Sequence, residues 1–260
     1  MIISKPLNLI YACALWAISS FTGATVVQMQ TVYGEIEVNL FDENTPATVA
    51  NFLNYVEGGS YNNTLVHRSI DDFITQGGGY KLDEALSLSS ITRNAQIINE
   101  PLYSNVRGTI AMAKLSCQPN SATSEWFINL ADNSANLDTQ NSGFTVFGQL
   151  TQDSLAVLDV IAALPTYNLG NPLTSTPLSS VPQDDSEEFT LENFVFIDAM
   201  TVIDTNTNSA DTLTPTLNTL LASSNNSDCD TNDSGGGSFS VNGLLFMLIV
   251  LVGLGRRKKS

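Results

Sequence analysis

Between Val66 and Tyr80 the chain reads Val-His-Arg-Ser-Ile-Asp-Asp-Phe-Ile-Thr-Gln-Gly-Gly-Gly-Tyr. A cation at Arg68, an aromatic ring at Phe73 and an amide at Gln76 stand ahead of Gly77, Gly78 and Gly79. One long cation beside an aromatic and an amide suits a neutral, partly apolar ligand. The two carboxylates here, Asp71 and Asp72, are adjacent in the bend, and the stretch has neither the cysteine nor the histidine cluster that hydrolysis or metal binding would require. Val66–Ile70 and Phe73–Thr75 read as short strands. Side chains alternate along a strand, so Arg68, Phe73 and Gln76 converge only if the chain bends between them. Asp71-Asp72 supplies a polar bend, and the glycines let the backbone leave the sheet at φ values other residues avoid.

These residues resemble the signature of the cyclophilins, the peptidyl-prolyl isomerase family: Phe-His-Arg-Ile-Ile-x-x-Phe-x-x-Gln-Gly-Gly. Val66 stands for the first Phe and Ser69 for the first Ile. The resemblance runs from about Thr25 to Asp204. Gly108–Ala113, Ser124–Ile128 and Phe144–Gly148 are its further signature segments. It implies isomerisation of X-Pro bonds, with no cofactor and no metal. Arg68 is then the catalytic donor. Phe73, Ile74, Phe127 and Leu137 match positions that hold the proline ring, and Gln76 and Ala113 match positions that bind the substrate backbone. Glu125 and Phe144 complete the expected substrate site but depart from the pattern, which has Gln at the first and His or Tyr at the second. Glu125 keeps an acceptor, loses donors and adds charge near Arg68. Asn136 stands where Trp or Phe is common, which implies weak binding of cyclosporin. His67, the single histidine, is structural in the family and reads as a satisfied core residue. The alternative function is a catalytically weak proline-peptide-binding module or surface adhesin using the same groove.

The elements that must position these residues can be read in order. Val26–Val32 and Glu35–Phe41 flank a Tyr33-Gly34 turn. Thr45 is placed as an N-cap with Pro46 at the first helical position, and Val49, Phe52, Leu53 and Val56 recur at helical spacing up to Gly58-Gly59. Lys81–Ile98 reads as a polar surface loop. Gly108–Ala113, Glu125–Leu130 and Phe144–Gly148 read as strands, with Leu115–Ser124 and Asn136-Leu137-Asp138 in loops. Asp153 caps a second helix carrying Leu155, Leu158, Ile161 and Ala162. Pro165–Glu188 is a long loop, and Phe194–Ile203 is the closing strand. Many strands and two helices fit a mainly β fold, a closed antiparallel barrel with helices capping its ends. The resemblance makes it the eight-stranded cyclophilin barrel.

The termini separate from this unit. Residues 1–24 read as a signal peptide: Lys5, then an apolar run from Leu7 to Phe21, then the small residues Thr22-Gly23-Ala24. Residues 25–204 form the isomerase-like domain. Residues 205–234 are polar and aperiodic and read as a disordered linker, with at best a transient helix at Leu213–Leu221. Residues 235–260 join Gly235–Gly237, an apolar run from Phe239 to Leu254 and the basic Arg256–Lys259. That run spans about 24 Å as a helix, against a hydrocarbon thickness of about 30 Å. The order glycines, apolar run, basic end resembles the GlyGly-CTERM sorting tail of Gram-negative bacteria, which a rhombosortase-type protease cuts. A plain C-terminal inner-membrane anchor is the other reading. Five of the ten Lys and Arg lie between these ends, against all 26 acids, a net −21. Such charge disfavours nucleic acid. The expected partners are proline-containing peptides and unfolded exported proteins, met by a monomer in the periplasm or at the cell surface. Cys117 and Cys229 could pair in an oxidising compartment.

Overall fold

A computed structural model describes residues 25–182, 188–205, 213–221 and 238–239 of the chain. Eight strands form one antiparallel sheet: β1 Val26–Thr31, β2 Gly34–Leu40, β3 Arg68–Ile70, β4 Ile74–Gly77, β5 Thr109–Met112, β6 Trp126–Asn129, β7 Val146–Leu150 and β8 Ala199–Asp204. Their spatial order is β8-β1-β2-β7-β5-β6-β4-β3. The sheet is curled, and its two edges meet through the segments that lead into them. Thr64–Leu65, ahead of β3, pair antiparallel with Phe196–Ile197, ahead of β8. The Val66 amide extends that seam by donating to the Val195 carbonyl at 2.9 Å.

Period-two alternation divides the sheet into two faces. Ile36, Val38, Ile110, Met112, Trp126, Ile128 and Phe147 turn into one core. Helix α1, Pro46–Glu57, closes it with Val49, Phe52, Tyr55 and Val56, and helix α3, Gln152–Ala162, with Leu158 and Ile161. The other face carries a second apolar cluster that includes Ile74, Ala111, Ala113, Phe127 and Val146. A one-turn helix α2, Ser134–Leu137, sits where the sequence suggested only loop.

Helix capping differs from expectation. Thr45 is the N-cap of α1 but its side chain makes no cap bond there; its hydroxyl donates back to the Phe41 carbonyl at 3.2 Å. The first-turn amides of Ala47 and Thr48 donate instead to the Glu100 carboxylate, at 3.2 and 2.9 Å, and the Thr48 hydroxyl adds a bond of 2.7 Å. A carboxylate brought from a distant loop thus satisfies amides that the helix cannot satisfy itself. In α3 the N-cap is Thr151, with Asp153 inside the first turn.

Three further stretches depart from the sequence reading. Lys81–Ile98 contains a hairpin, Tyr80–Leu82 with Leu88–Ser90. The long loop from Pro165 folds back through a ladder between Thr166–Tyr167 and Thr176–Pro177. Residues 213–221, within the expected linker, lie against the barrel, with Leu217 bridged to Tyr103. The backbone of Ser238–Phe239 runs parallel to Lys114–Leu115. The signal-like Met1–Ala24, the rest of the apolar run, the basic end and Cys229 lie outside the described residues; Cys117 is exposed. Among the described residues no helix is long and apolar enough to cross a membrane.

Replacing Glu100 by Ala should lower unfolding stability by about 2 kcal/mol, the value of charge-assisted bonds at a helix start. Glu100→Gln should recover part of the loss. Urea denaturation checks this: the midpoint falls while the slope stays constant, and an unmoved midpoint refutes the anchoring role of Glu100.

Candidate active site

Strand register builds the site. Arg68 lies opposite Gln76, Gln76 opposite Phe127, Phe127 opposite Ala111, and Ala111 opposite Val146. These five residues form one row across β3, β4, β6, β5 and β7, on the face away from the main core. Directly opposed residues in an antiparallel pair have Cβ atoms about 5 Å apart, so the row runs unbroken from a cation through an amide to apolar floor. The bend foreseen at Asp71-Asp72 is a turn in which Asp72 takes φ 52°. It returns the chain so that the Arg68 Nη1 donates to Gln76 Oε1 at 3.3 Å.

The polar end continues past Gln76. Its Nε2 donates to Glu125 Oε2 at 3.1 Å, and Arg93 Nη2 reaches Glu125 Oε1 at 3.5 Å. Glu125 therefore engages Gln76 and Arg93, rather than drawing Arg68 aside. Gly78, with φ +77°, takes a backbone conformation that a Cβ would strain. A Cβ at Gly79 would lie 2.9 Å from the Glu125 carboxyl carbon, so its absence leaves room for that side chain. Helix α1 braces the same corner. Asn51 Nδ2 donates to the Thr123 carbonyl at 2.6 Å, and Tyr55 OH accepts the Asn94 amide at 2.6 Å, next to Arg93. Tyr61 OH donates to the Ser124 carbonyl at 2.7 Å.

The apolar end unites Ile74, Ala113, Phe127, Leu137 and Phe144 in one buried cluster, with Phe73 packed against it. The Phe127 and Phe144 rings meet edge to face at 5.7 Å. Asn136 is exposed beside Leu137. Buried amides tie the cluster's borders together. Phe144 N donates to Leu137 O at 2.9 Å. Asn105 Nδ2 bonds Asp138 Oδ1 and Phe144 O, and its Oδ1 accepts from Asn129 Nδ2. Asn133 Nδ2 links Asn129 Oδ1 to the Phe73 carbonyl, both at 2.8 Å.

All the residues expected at the site thus gather on one face, in two joined groups. Sequence reasoning missed Arg93, the buried amides and Lys114. Lys114 is 2% exposed. Its Nζ donates to the Asn141 and Gly143 carbonyls at 2.9 and 2.6 Å, 4.7 Å from the centre of the Phe144 ring. A lysine directly continuing the small-residue strand Gly108–Ala113 was the available signal. His67 departs from expectation differently. It is fully buried, 5.0 Å from the Tyr80 ring centre, and neither ring nitrogen has a hydrogen bond among the described residues. Its Nε2 lies 3.5 Å from Glu125 Oε2.

Electrostatics separate the cations. Arg93 faces Glu125, and Arg107 pairs with Asp159 at 2.8 Å. Among the described residues no carboxylate lies within 4.0 Å of the Arg68 guanidinium. Burial pulls its pKa down from the ordinary value, yet a guanidinium stays protonated. Burial also lowers Lys114 to about 7, and burial pushes Tyr80 up to about 12.

The model of the family described as cyclophilin type peptidyl-prolyl cis-trans isomerase/CLD matches residues 26–182. The chain is 40% identical over 149 residues to a peptidyl-prolyl cis-trans isomerase of Acinetobacter baylyi, covering 56% of this chain and 76% of that one. It is 39% identical over 165 residues to peptidyl-prolyl cis-trans isomerase A of Dickeya dadantii, covering 62% and 80%. Its fold is similar to that of a Cryptosporidium parvum cyclophilin type isomerase crystallised in the presence of the dipeptide Ala-Pro. That likeness has a TM-score of 0.50 and 23% identity, over 69% of this chain and 99% of the other.

Lys114 yields a signed prediction. The folded chain gives up this proton near pH 7, whereas the unfolded chain holds it to about pH 10.4. Unfolding between those values takes up a proton, so the contribution of Lys114 to stability climbs with pH. Between pH 7 and 9, the stability of the native chain relative to Lys114→Met should rise, by at most about 1.4 kcal/mol per pH unit. Denaturation of both chains across that range measures it, and a flat or falling difference contradicts it.

Proposed function

The chain belongs to the cyclophilin-type peptidyl-prolyl cis-trans isomerase family, and from that premise we propose that it isomerises X-Pro bonds of exported proteins at the Arg68 row and so assists their folding. The isomerase activity belongs to the family; the assignment of roles to residues, the clients and the location are our reading. Proline peptides as ligands are supported by the dipeptide present with the fold neighbour.

The observation that carries the assignment is Arg68, a half-buried cation with an amide partner and no carboxylate within ion-pair distance among the described residues. A peptide bond resists rotation by about 18–20 kcal/mol because its nitrogen shares electrons with the carbonyl. In X-Pro the two isomers are nearly balanced, so no bond need break. The catalyst must favour the twisted amide, whose nitrogen becomes pyramidal and more basic. In this reading the proline ring rests on Phe127, bordered by Phe73, Ile74, Leu137 and Phe144. Gln76 and Ala113 hold the substrate backbone. Arg68 donates to the substrate carbonyl and to the twisted nitrogen, a charge arrangement set before the substrate arrives. Glu125 acts through Gln76. By accepting from Nε2 it turns Oε1 toward Arg68, which keeps the guanidinium aimed.

Export rests on the signal-like Met1–Ala24, and the mature domain would work in the periplasm or at the surface of a Gram-negative bacterium. The tail would be cut near Gly235–Ser238 by a rhombosortase-type membrane protease. Three glycines outside a short apolar run leave backbone that is easily extended into a protease, and that run is marginal as a lasting span. Cleavage there would also free the Lys114–Leu115 edge from Ser238–Phe239.

Arg68→Ala should lower kcat/KM by about 10²-fold or more while changing the free energy of unfolding by about 1 kcal/mol or less, because water can enter the half-buried place of Arg68 and bond the Gln76 oxygen. Glu125→Ala strands a fully buried Gln76 donor, at a cost of about 1–3 kcal/mol, and should lower kcat/KM about tenfold. Glu125→Gln keeps an acceptor and should stay near the native rate. A protease-coupled proline-peptide assay separates these. A folded Arg68→Ala chain at full activity rejects the assignment of Arg68, and equal loss in both Glu125 variants rejects the role of Glu125.

Intact-mass analysis of protein from its native host tests the tail. The expected mature species ends between Gly235 and Ser238. A species still ending at Ser260 rejects sorting and leaves a permanent anchor.

A further inference from the structure

Residues 213–221 lie beyond both the residues that the family model matches, 26–182, and the last strand of the barrel, which ends at Asp204, yet they are built onto the site's border. The backbone adds to the segment Leu102–Ser104 through an isolated antiparallel bridge. Ser104 N donates to Thr216 O at 2.8 Å, Asn218 N donates to Leu102 O at 2.9 Å, and Leu217 is bridged to Tyr103. The Ser104 hydroxyl adds a bond to Leu217 O at 3.2 Å. Strand addition of this kind gives affinity through the main chain, and side chains give specificity.

Two side chains turn this contact toward the site. Asn218 Nδ2 donates to the Asp138 carbonyl at 2.9 Å, while its Oδ1 accepts the amides of Leu220 and Leu221 and fixes its own orientation. Asp138 follows Leu137 directly, and Leu137 O holds Phe144 N. Leu213 packs against the apolar cluster that contains Phe127, Leu137 and Phe144. The segment therefore touches the loop carrying two pocket walls at a polar point and at an apolar one.

We propose that residues 213–221 are a strap of the catalytic domain, in which Asn218 is a positioning residue holding the Leu137–Phe144 loop against the proline pocket. The proposal rests on the reading of Leu137 and Phe144 as pocket walls. The loop is already held from the barrel side by Lys114 and Asn105. Asn218 holds it from the outside, so the loop carries restraints on both sides. Releasing the outer one loosens the ring-binding wall without touching Arg68. Substrate binding should weaken while the bound complex turns over nearly as before.

Hydrogen exchange on the full chain tests the docking independently of any activity. The amides of Ser104 and Asn218 should exchange at least tenfold more slowly than those of exposed loops; exchange at loop rates refutes the strap. Asn218→Ala should raise KM about fivefold or more, with kcat changed less than twofold and the unfolding midpoint retained. Asn218→Asp, which keeps the acceptor but loses the Nδ2 donor, should do the same. Leu213→Ser, which leaves Asn218 intact, should raise KM less than Asn218→Ala. Unchanged KM in both Asn218 variants overturns the positioning role even where exchange shows the strap docked. Failure of the underlying site reading shows elsewhere, as full activity in Arg68→Ala or in Leu137→Ala.

Discussion

The site depends on the register between β4 and β6. Side chains alternate with period two, so a slip of one residue would exchange the Gln76 and Phe127 face with the Thr75 and Trp126 face. Hydrophobicity alone does not choose between them, because Trp126, Phe127 and Ile128 are all buried. Size does. Trp126 lies opposite Gly77, where a Cβ would come within 2.8 Å of the indole. Moved by one residue, the indole would face Gln76, whose side chain fills that space, or Gly78, which lies past the end of the strand at φ +77°. The glycine run thus sets the partner of the largest core residue, and the row from Arg68 to Ala111 follows from that single fit.

A second consequence concerns charge. Had a carboxylate touched Arg68, the pair would be worth about 4 kcal/mol at 4 Å and an effective dielectric of 20, and a substrate would have to break it. Gln76 prevents this by standing between. Its amide gives an oxygen to the cation and an N–H to Glu125, so the acid and Arg68 are kept out of direct contact by an intervening dipole. Arg93 offsets the same acid from the far side. A carboxylate in place of the usual amide is therefore compatible with a cation left available for substrate, which residue types alone did not reveal.

Legibility followed locality. Arg68, Phe73 and Gln76 lie on one hairpin, and their convergence was readable because the bend between them is encoded by Asp71-Asp72 and the glycines. The barrel was readable because strand runs keep period two and α1 keeps its helical spacing. What escaped notice depends on partners distant in sequence. Glu100 takes over the capping expected of Thr45, 55 residues earlier in the chain. Residues 213–221 look like linker because they meet Leu102–Ser104 through their own backbone, and backbone bonding leaves no side-chain pattern. His67 reads as an ordinary core residue from its neighbours, while the absence of a hydrogen-bond partner for either ring nitrogen among the described residues appears only in three dimensions.

In the site we propose, the wall formed by Leu137 and Phe144 shows why polar surroundings matter to an apolar contact. The residues between them, Asp138 to Gly143, form no sheet, so no ladder stiffens them. Their carbonyls are held one at a time, by Lys114 at Asn141 and Gly143 and by Asn99 at Ser142 and Gly143. Burying an ammonium is costly, and two carbonyls with a ring face offset only part of it here, since burial still lowers Lys114 to about 7. The proline ring is small and rigid, and its contact area is modest. A wall that had to be ordered on binding would consume much of what that contact provides. Holding the loop in place beforehand puts the ordering cost into folding rather than into each binding event. In that reading, a lysine and several amides beneath an apolar cluster support binding without being part of the surface that receives the ligand.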